Sequence, residues 1–127
     1  MAESKRYEIT VSPKVTFLAE QSDPDKSHFV FAYTITLTNT GSVAAQLVSR
    51  HWIITDAEQR VQEVRGQGVV GKQPVLKPGE SFEYTSGASL PTAVGTMRGT
   101  YQMVAEDGHS FDAQIPSFTL SVPRTLH

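Results

Sequence analysis

A strict alternation of apolar and polar residues constrains the fold of this chain more than any other feature of its sequence. From Tyr7 to Ala19 the odd positions are mainly apolar, while the even positions from Glu8 to Thr16 are polar. In the next segment, aromatic and aliphatic side chains share one face at the odd positions 29–37, and Thr34, Thr36 and Thr38 share the other. A period of two residues is that of a strand with one buried face. No stretch keeps the 3.6-residue period of an ordinary helix, so the sequence predicts an all-β protein.

Turn residues divide the chain into about seven predicted strands. They cover residues 7–19, 29–38, 44–56, 61–65, 81–85, 97–105 and 110–122. Residues 66–79 and 86–95, rich in glycine and proline or in small residues, are predicted loops. Because no crossover helix joins the strands, we expect antiparallel pairing in a two-sheet sandwich of immunoglobulin or fibronectin type III character, with a closed barrel as the alternative. A chain of 127 residues fits one such domain, residues 1–127.

Three irregularities in the pattern carry predictions of their own. Pro13 cannot donate to a sheet ladder, so its strand lies at an edge or bends there. Apolar residues on both faces of residues 44–56 indicate a central strand or a bulge. The apolar phase shifts across Pro116, which predicts a bulge or a bend there.

Aromatic residues dominate the predicted core. The single tryptophan, Trp52, lies on the third strand, where sandwiches favour a buried Trp. Tyr101 is placed like the tyrosine corner of such folds. We expect six side chains to be buried and to contact one another across the two sheets: Trp52, Phe31, Tyr33, Ile35, Phe82 and Tyr101.

Composition narrows the classes of function. The 11 Lys and Arg against 13 Asp and Glu give a net charge of −2, which argues against a nucleic-acid binder that neutralises phosphates. The chain has no cysteine, which removes thiolate metal sites and cysteine nucleophiles and favours a reducing compartment. The longest apolar run is Phe29 to Tyr33, too short for a signal peptide or a membrane span. The sequence therefore predicts a cytoplasmic protein without membrane contact or cofactor.

A glycine motif is the most conspicuous candidate site. Residues 66–71 read GQGVVG and match G-x-G-x-x-G, the dinucleotide fingerprint. That fingerprint needs a helix after the glycines, and Pro74 and Pro78 forbid an ordinary helix here. We expect a glycine-rich loop with positive φ angles or, as the alternative, an anion-binding nest of backbone N–H groups. The candidate anion-loop residues are Arg65, Gly66, Gly68, Gly71 and Lys72.

Catalytic and metal signatures are weak by comparison. Arg50 and His51, next to Trp52, are a candidate interaction patch, since Arg and Trp often anchor interfaces. The hairpin at residues 106–109 offers two carboxylates and predicts at most a loose cation site. The four histidines lack zinc-ligand spacing, and no nucleophile elbow occurs. We therefore expect that the protein is not an enzyme and that it has no metal site.

Three segments together resemble the ApaG family. They are residues 49–56 (SRHWIITD), residues 66–71 continuing through 75–87 (VLKPGESFEYTSG), and residues 95–104 (GTMRGTYQMV) with Asp107-Gly108. The resemblance extends from about residue 7 to residue 122, and it implies a stand-alone bacterial protein with a fibronectin type III-like sandwich.

The resemblance assigns no reaction. The family name reflects a gene neighbourhood shared with diadenosine tetraphosphate hydrolysis, and the family is linked to cobalt resistance and magnesium efflux. Similar domains in a eukaryotic F-box protein and a DNA-polymerase-interacting protein imply protein binding. We therefore expect a non-catalytic protein–protein interaction module, able to form a homodimer. The alternative is a binder or sensor of a phosphorylated small molecule, such as a diadenosine polyphosphate or a pyrophosphate-like group, or of a divalent cation.

Overall fold

The structure, a computed structural model, describes residues 5–123 and contains eight β-strands. The strands are β1 (Ile9–Phe17), β2 (Phe29–Asn39), β3 (Ala45–Asp56), β4 (Val61–Gln67), β5 (Val75–Leu76), β6 (Ser81–Leu90), β7 (Val94–Ala105) and β8 (Ser110–Ser121). Two single-turn 3-10 helices, Ala19–Gln21 and Pro24–Lys26, lie between β1 and β2. No helix within residues 5–123 is long and apolar enough to cross a membrane.

The strands form two antiparallel sheets, which confirms the predicted all-β sandwich. One sheet has the order β1-β2-β6 and the other β4-β3-β7-β8, with β5 paired to β3. The seven long strands correspond to the seven predicted segments. The eighth, β5, is a two-residue strand within the predicted loop 66–79, where it pairs with Ala45 and Gln46.

The sandwich is closed along one side and open along the other. The edge strands β1 and β8 lie close together, whereas β6 and β4 do not approach each other in the same way. Counted from the closed side, a sheet of three strands lies against a sheet of four. The strand β4 therefore extends beyond the smaller sheet.

A bulge is present at each of the two places where the apolar pattern shifts phase. The register between β7 and β8 shifts between Met97 and Gly99, opposite Pro116. In β3 the register shifts between Leu47 and Ser49, so that Val48 is the extra residue. Ala45 and Leu47 are buried before this bulge, and the even positions Trp52 and Ile54 are buried after it. The bulge explains why both faces of this strand carry apolar residues in the sequence.

The prediction of a loop over residues 86–95 is wrong for residues 86–90, which belong to β6. Strand β6 continues through Leu90, because Phe29 to Tyr33 of β2 pair with residues 86–90. The four small residues at 86–89 are typical of a loop, but β2 supplies a pairing edge, and buried Leu90 anchors the end of the strand. Similarly, β7 begins at Val94 rather than at Met97.

The core matches the predicted set at five of its six positions. Trp52, Phe31, Tyr33, Ile35 and Tyr101 are buried, while Phe82 is only partly buried against them. Tyr101 is not a tyrosine corner: its hydroxyl pairs with the hydroxyl of Tyr84 at 2.5 Å, not with the backbone. The contact joins β6 to β7 across the two sheets.

Candidate functional site

The second half of the glycine motif forms a tight two-residue turn. The Val69 N–H donates to the Lys72 carbonyl at 2.8 Å, and the Lys72 N–H donates back to the Val69 carbonyl at 2.9 Å. Between them, Val70 has a φ of 44° and Gly71 a φ of 79°. Two consecutive positive φ angles are those of a type I′ turn. The positive φ predicted for the loop is confirmed at Gly68 and Gly71, and no helix follows the motif.

The backbone N–H groups of this loop are largely engaged within the chain. Besides the two turn bonds, the Gly68 N–H donates to the Val48 carbonyl at 2.8 Å. These three donors are therefore unavailable to an anion unless the turn opens. Lys72 is exposed. Arg65 projects from the outer face of its strand, beside Glu63, with 73% of its side chain exposed.

The first glycine of the motif makes room for Arg50. Gly66 pairs with Arg50 across β4 and β3. A Cβ atom on Gly66 would lie 2.8 Å from Arg50 Nη2 and 2.9 Å from Cζ, well inside normal contact. The guanidinium therefore lies directly against the glycine backbone, and a side chain at this position would displace it.

The same loop holds the guanidinium by two hydrogen bonds. Arg50 Nη1 donates to the Gln67 carbonyl at 3.0 Å and to the Gly68 carbonyl at 2.7 Å. The left-handed conformation of Gly68, with a φ of 61°, turns the chain immediately after these carbonyls. A Cβ at Gly68 would approach the Lys72 carbonyl oxygen to 2.3 Å. The glycines thus build a clamp for an arginine, which the sequence pattern alone did not indicate.

Arg50 faces the interior at the open side of the sandwich. A groove of about 330 Å³ lies there, between β4 and β6. Its floor carries Tyr33, Arg50 and Trp52, and its walls carry Gln62, Val64 and the small residues at 86–89. The groove exists because no bulky side chain occupies four consecutive positions of β6. That run of small residues was the sequence signal for the groove, and the loop prediction missed it.

Two buried tyrosines lie behind the arginine. Burial raises the pKa of Tyr84 and of Tyr101 far above the usual range, and the charge of Arg50 partly opposes this rise. Both hydroxyls therefore stay neutral at physiological pH, and each can serve the other as donor or acceptor. On the same strand as Arg50, Trp52 Nε1 is a buried donor that no acceptor within residues 5–123 satisfies.

The structure separates Arg50 from His51. Neighbouring residues of a strand point to opposite faces, and Trp52 shares the inner face with Arg50. His51 lies on the outer face, where its Nε2 is 2.8 Å from Glu63 Oε1. The candidate patch is therefore divided between the groove and the outer surface of the larger sheet.

In the hairpin at residues 106–109, the carboxylate of Asp107 is bonded to Tyr7 of the N-terminal segment. Asp107 accepts hydrogen bonds from the Tyr7 hydroxyl at 2.5 Å and from the His109 N–H at 3.0 Å. The hydrogen bond from Tyr7, followed by that from His109, holds the pKa of Asp107 below its usual range. The Tyr7 ring also stacks on His109, with centroids 4.1 Å apart. Within residues 5–123 no group of three or more histidines and carboxylates is placed to hold a metal ion.

Comparison with known proteins places the chain in one family. The family model described as the ApaG domain matches residues 19–105. Protein ApaG of Thiobacillus denitrificans is 66% identical over 127 residues, which is the full length of both chains. Protein ApaG of Dechloromonas aromatica is 65% identical over the same span.

A solved structure gives the same result for the fold. The crystal structure of the putative ApaA protein from Bordetella pertussis superimposes with a TM-score of 0.93 at 60% sequence identity, covering 97% of this chain and 100% of that one. A family model over most of the chain, full-length relatives and a shared fold agree. The chain belongs to the ApaG family.

Proposed function

We propose that the chain is a non-catalytic protein-interaction module that accepts an extended segment of a partner protein as an added strand on β6. The observation that carries the proposal is the free edge of β6 beside the groove. An exposed strand edge is a template for pairing, and neighbouring pockets supply specificity. The fibronectin type III-like character and the cytoplasmic location belong to the same proposal, and the absence of cysteine supports the location.

The four sheet edges differ in how well they are protected from pairing. Strand β1 carries Pro13 and a lysine, and β8 has the bulge at Pro116. Strand β4 carries two charged residues, Glu63 and Arg65, among its seven. Proline, charge and bulges are the usual means of blocking an edge. Strand β6 is ten residues long and carries one charge, Glu83. It is the least protected of the four edges.

The arrangement of the sheets favours the same edge. The smaller sheet stops at β6, while β4 extends past it in the larger sheet. A partner strand beside β6 would become the fourth strand of the smaller sheet and would cover the inner face of β4. Alternate side chains of that strand would point into the groove. Val64 of β4, only partly buried in this structure, would gain cover.

The alternative, a binder of phosphorylated small molecules or divalent cations, has less support. An anion at residues 66–72 would find three of the backbone N–H groups already donating within the chain. A cation at residues 106–109 would compete with Tyr7 for Asp107. The link to cobalt resistance and magnesium efflux, which the family resemblance implies, stays a prediction.

Site-specific photocrosslinking tests the proposed surface. A benzoylphenylalanine is introduced at exposed Ser89 on β6, and as a matched control at exposed Thr119 on β8 at the opposite edge. In living bacteria that encode the chain, we expect discrete protein adducts from position 89 only. Adding Ser86→Phe, which fills the groove from its inner face, should remove them.

Two results would contradict the proposal. One is an equal adduct pattern at positions 89 and 119, and the other is an adduct at 89 that survives Ser86→Phe. Adducts between two copies of this chain would identify the occupant as a second copy, and sedimentation of the purified chain would then show a dimer.

A further inference from the structure

Arg50 is a half-buried cation whose charge is not neutralised within residues 5–123. The ion pairs in that part of the chain involve Lys5, Arg6, His51, Arg60 and Arg65, and none of them involves Arg50. Its two acceptors are backbone carbonyls, which fix the guanidinium in place but carry no net charge. Charges withdrawn from water are normally paired. The clamp therefore holds a cation that has no counter-ion in the part of the chain that the structure describes.

Unused donors accompany this charge on the groove floor. Both hydrogen bonds of Arg50 come from Nη1, so Nε and Nη2 have no acceptor among residues 5–123. Trp52, two residues further on the same face of β3, likewise has an Nε1–H without an acceptor in that range. Arg50 and Trp52 both line the groove. The unpaired Nε and Nη2 of Arg50 are open to a ligand with oxygen acceptors, whereas Trp52 Nε1 is enclosed by the protein.

The number of charged side chains that line the groove indicates which kind of anion fits it. Among the residues that line it, Arg50 alone is charged. One guanidinium balances the single charge of a carboxylate and matches its two oxygens with a planar fork. A phosphate dianion would leave an excess negative charge in a partly desolvated space.

We infer that Arg50 recognises the carboxylate of a glutamate or aspartate that the added partner strand projects into the groove. The inference rests on the proposed function and adds the chemistry of the partner: an extended segment with an acidic residue at an inward-facing position. The glycine motif then has a stated role, because Gly66 and Gly68 hold the guanidinium where this carboxylate arrives.

Peptide selection on the full-length chain tests the inference. A phage library of random 12-residue peptides is selected on the wild-type chain, and the enriched peptides are synthesised with glutamine analogues of their acidic residues. Calorimetry compares wild type with Arg50→Gln, with Gly66→Ala, and with Arg65→Gln as the control that removes an exposed arginine. Thermal melting establishes that each variant is folded.

We expect enriched peptides with an acidic residue at a fixed position. The glutamine analogue and Arg50→Gln should each weaken binding at least about tenfold, and the two changes together should do no more than one alone. Gly66→Ala should weaken binding too, because it keeps the charge but displaces the guanidinium. It decides the matter if Arg50→Gln does not fold. Arg65→Gln should leave the affinity unchanged.

Other outcomes separate failure of this inference from failure of the proposed function. The enriched peptides could show no preference for acidic residues and still fail to bind Ser86→Phe. That result would overturn carboxylate recognition by Arg50 but would agree with strand addition on β6. No enrichment, or binding insensitive to Ser86→Phe, would overturn both. Tighter Arg50-dependent binding of inorganic phosphate than of any acidic peptide would make the groove a phosphate site and overturn the inference.

Discussion

At the scale of single residues, the glycine motif shows how one pattern can serve different chemistry. In the dinucleotide fold the glycines let a pyrophosphate approach a helix. Here Gly66 lets the guanidinium of Arg50 approach a strand, and Gly68 turns the chain so that two carbonyls hold it. The positive φ angles of the loop were predictable from its glycines, and the absence of the helix from Pro74 and Pro78. The arginine was not, because β4 and β3 bring it there from 16 residues away in sequence.

The buried tyrosine pair supports a prediction at the same scale. Tyr84 and Tyr101 satisfy each other across the two sheets. Either single Tyr→Phe change leaves a buried hydroxyl unpaired, so each should lower the free energy of unfolding by about 1–3 kcal/mol. The double change removes both hydroxyls and should cost no more than one single change. Urea denaturation of the four proteins measures this, and additive costs would show that the two hydroxyls are not coupled.

Asn39 is a second buried polar residue that the sequence did not single out. Its side-chain amide donates to the carbonyls of Val43 and Leu76, and its Oδ1 accepts from the Gly41 N–H. Residues 39–42 read Asn-Thr-Gly-Ser, a sequence typical of an ordinary turn. Its role in fixing β5 depends on Leu76, a contact that no local pattern reveals.

At the scale of elements, the sequence predicts strands well where side chains alternate and poorly where they are small. Strand β2 alternates from Tyr33 onward, after an apolar run at residues 29–33, and was predicted almost to its ends. The end of β6 has no alternation to see, since residues 86–89 are small. It is a strand because β2 offers it a pairing partner. The pairing places these small side chains opposite β4, and their small size leaves the groove open.

The turn at residues 69–72 carries a strain that can be removed. Val70 is β-branched yet has a φ of 44°, a conformation such residues strongly disfavour. Val70→Asn would give Asn-Gly, the pair that a type I′ turn prefers. Because Val70 is 55% exposed, little burial is lost. We expect the variant to raise the free energy of unfolding by roughly 1 kcal/mol, measured by urea denaturation.

A matched pair of glycine variants shows whether that turn has the described geometry. Gly71→Ala places its Cβ in open space, whereas Gly68→Ala places it 2.3 Å from the Lys72 carbonyl oxygen. Gly68→Ala should therefore destabilise the protein more than Gly71→Ala. Equal effects, or a destabilising Val70→Asn, would contradict the assigned turn.

At the scale of the whole molecule, two aspartates make the stability of the fold depend on pH: Asp56 holds the β3–β4 turn, and Asp107 holds the N-terminal segment through Tyr7. Burial acts to raise the pKa of Asp56, but hydrogen bonds from the backbone and side chain of Arg60 and from the Glu58 N–H outweigh it and lower the pKa. The pKa of Asp107 is lowered chiefly by Tyr7. A lowered folded-state pKa gives stability that is complete above the unfolded-state value of about 4 and is lost as the pH falls through the folded-state value.

The melting temperature should therefore change little from pH 7 to about pH 5 and fall below about pH 4. Asp56→Asn should lower the melting temperature clearly at pH 7 and less at pH 3, where the wild-type carboxylate is also becoming neutral. Exposed Asp112→Asn controls for the loss of one negative charge. A gap between wild type and Asp56→Asn that is the same at both pH values would contradict the assigned role of this carboxylate.

Hydrogen–deuterium exchange of the full chain shows whether a partner segment pairs with the free edge of β6 and covers the groove. Exchange is measured by mass spectrometry with and without a peptide enriched on the wild-type chain. We predict slower exchange of residues 81–90 on binding, with the β1 and β8 edges unchanged. Protection confined to the loop at residues 66–72, to β1 or to β8, with β6 exchanging as in the free chain, would contradict the account.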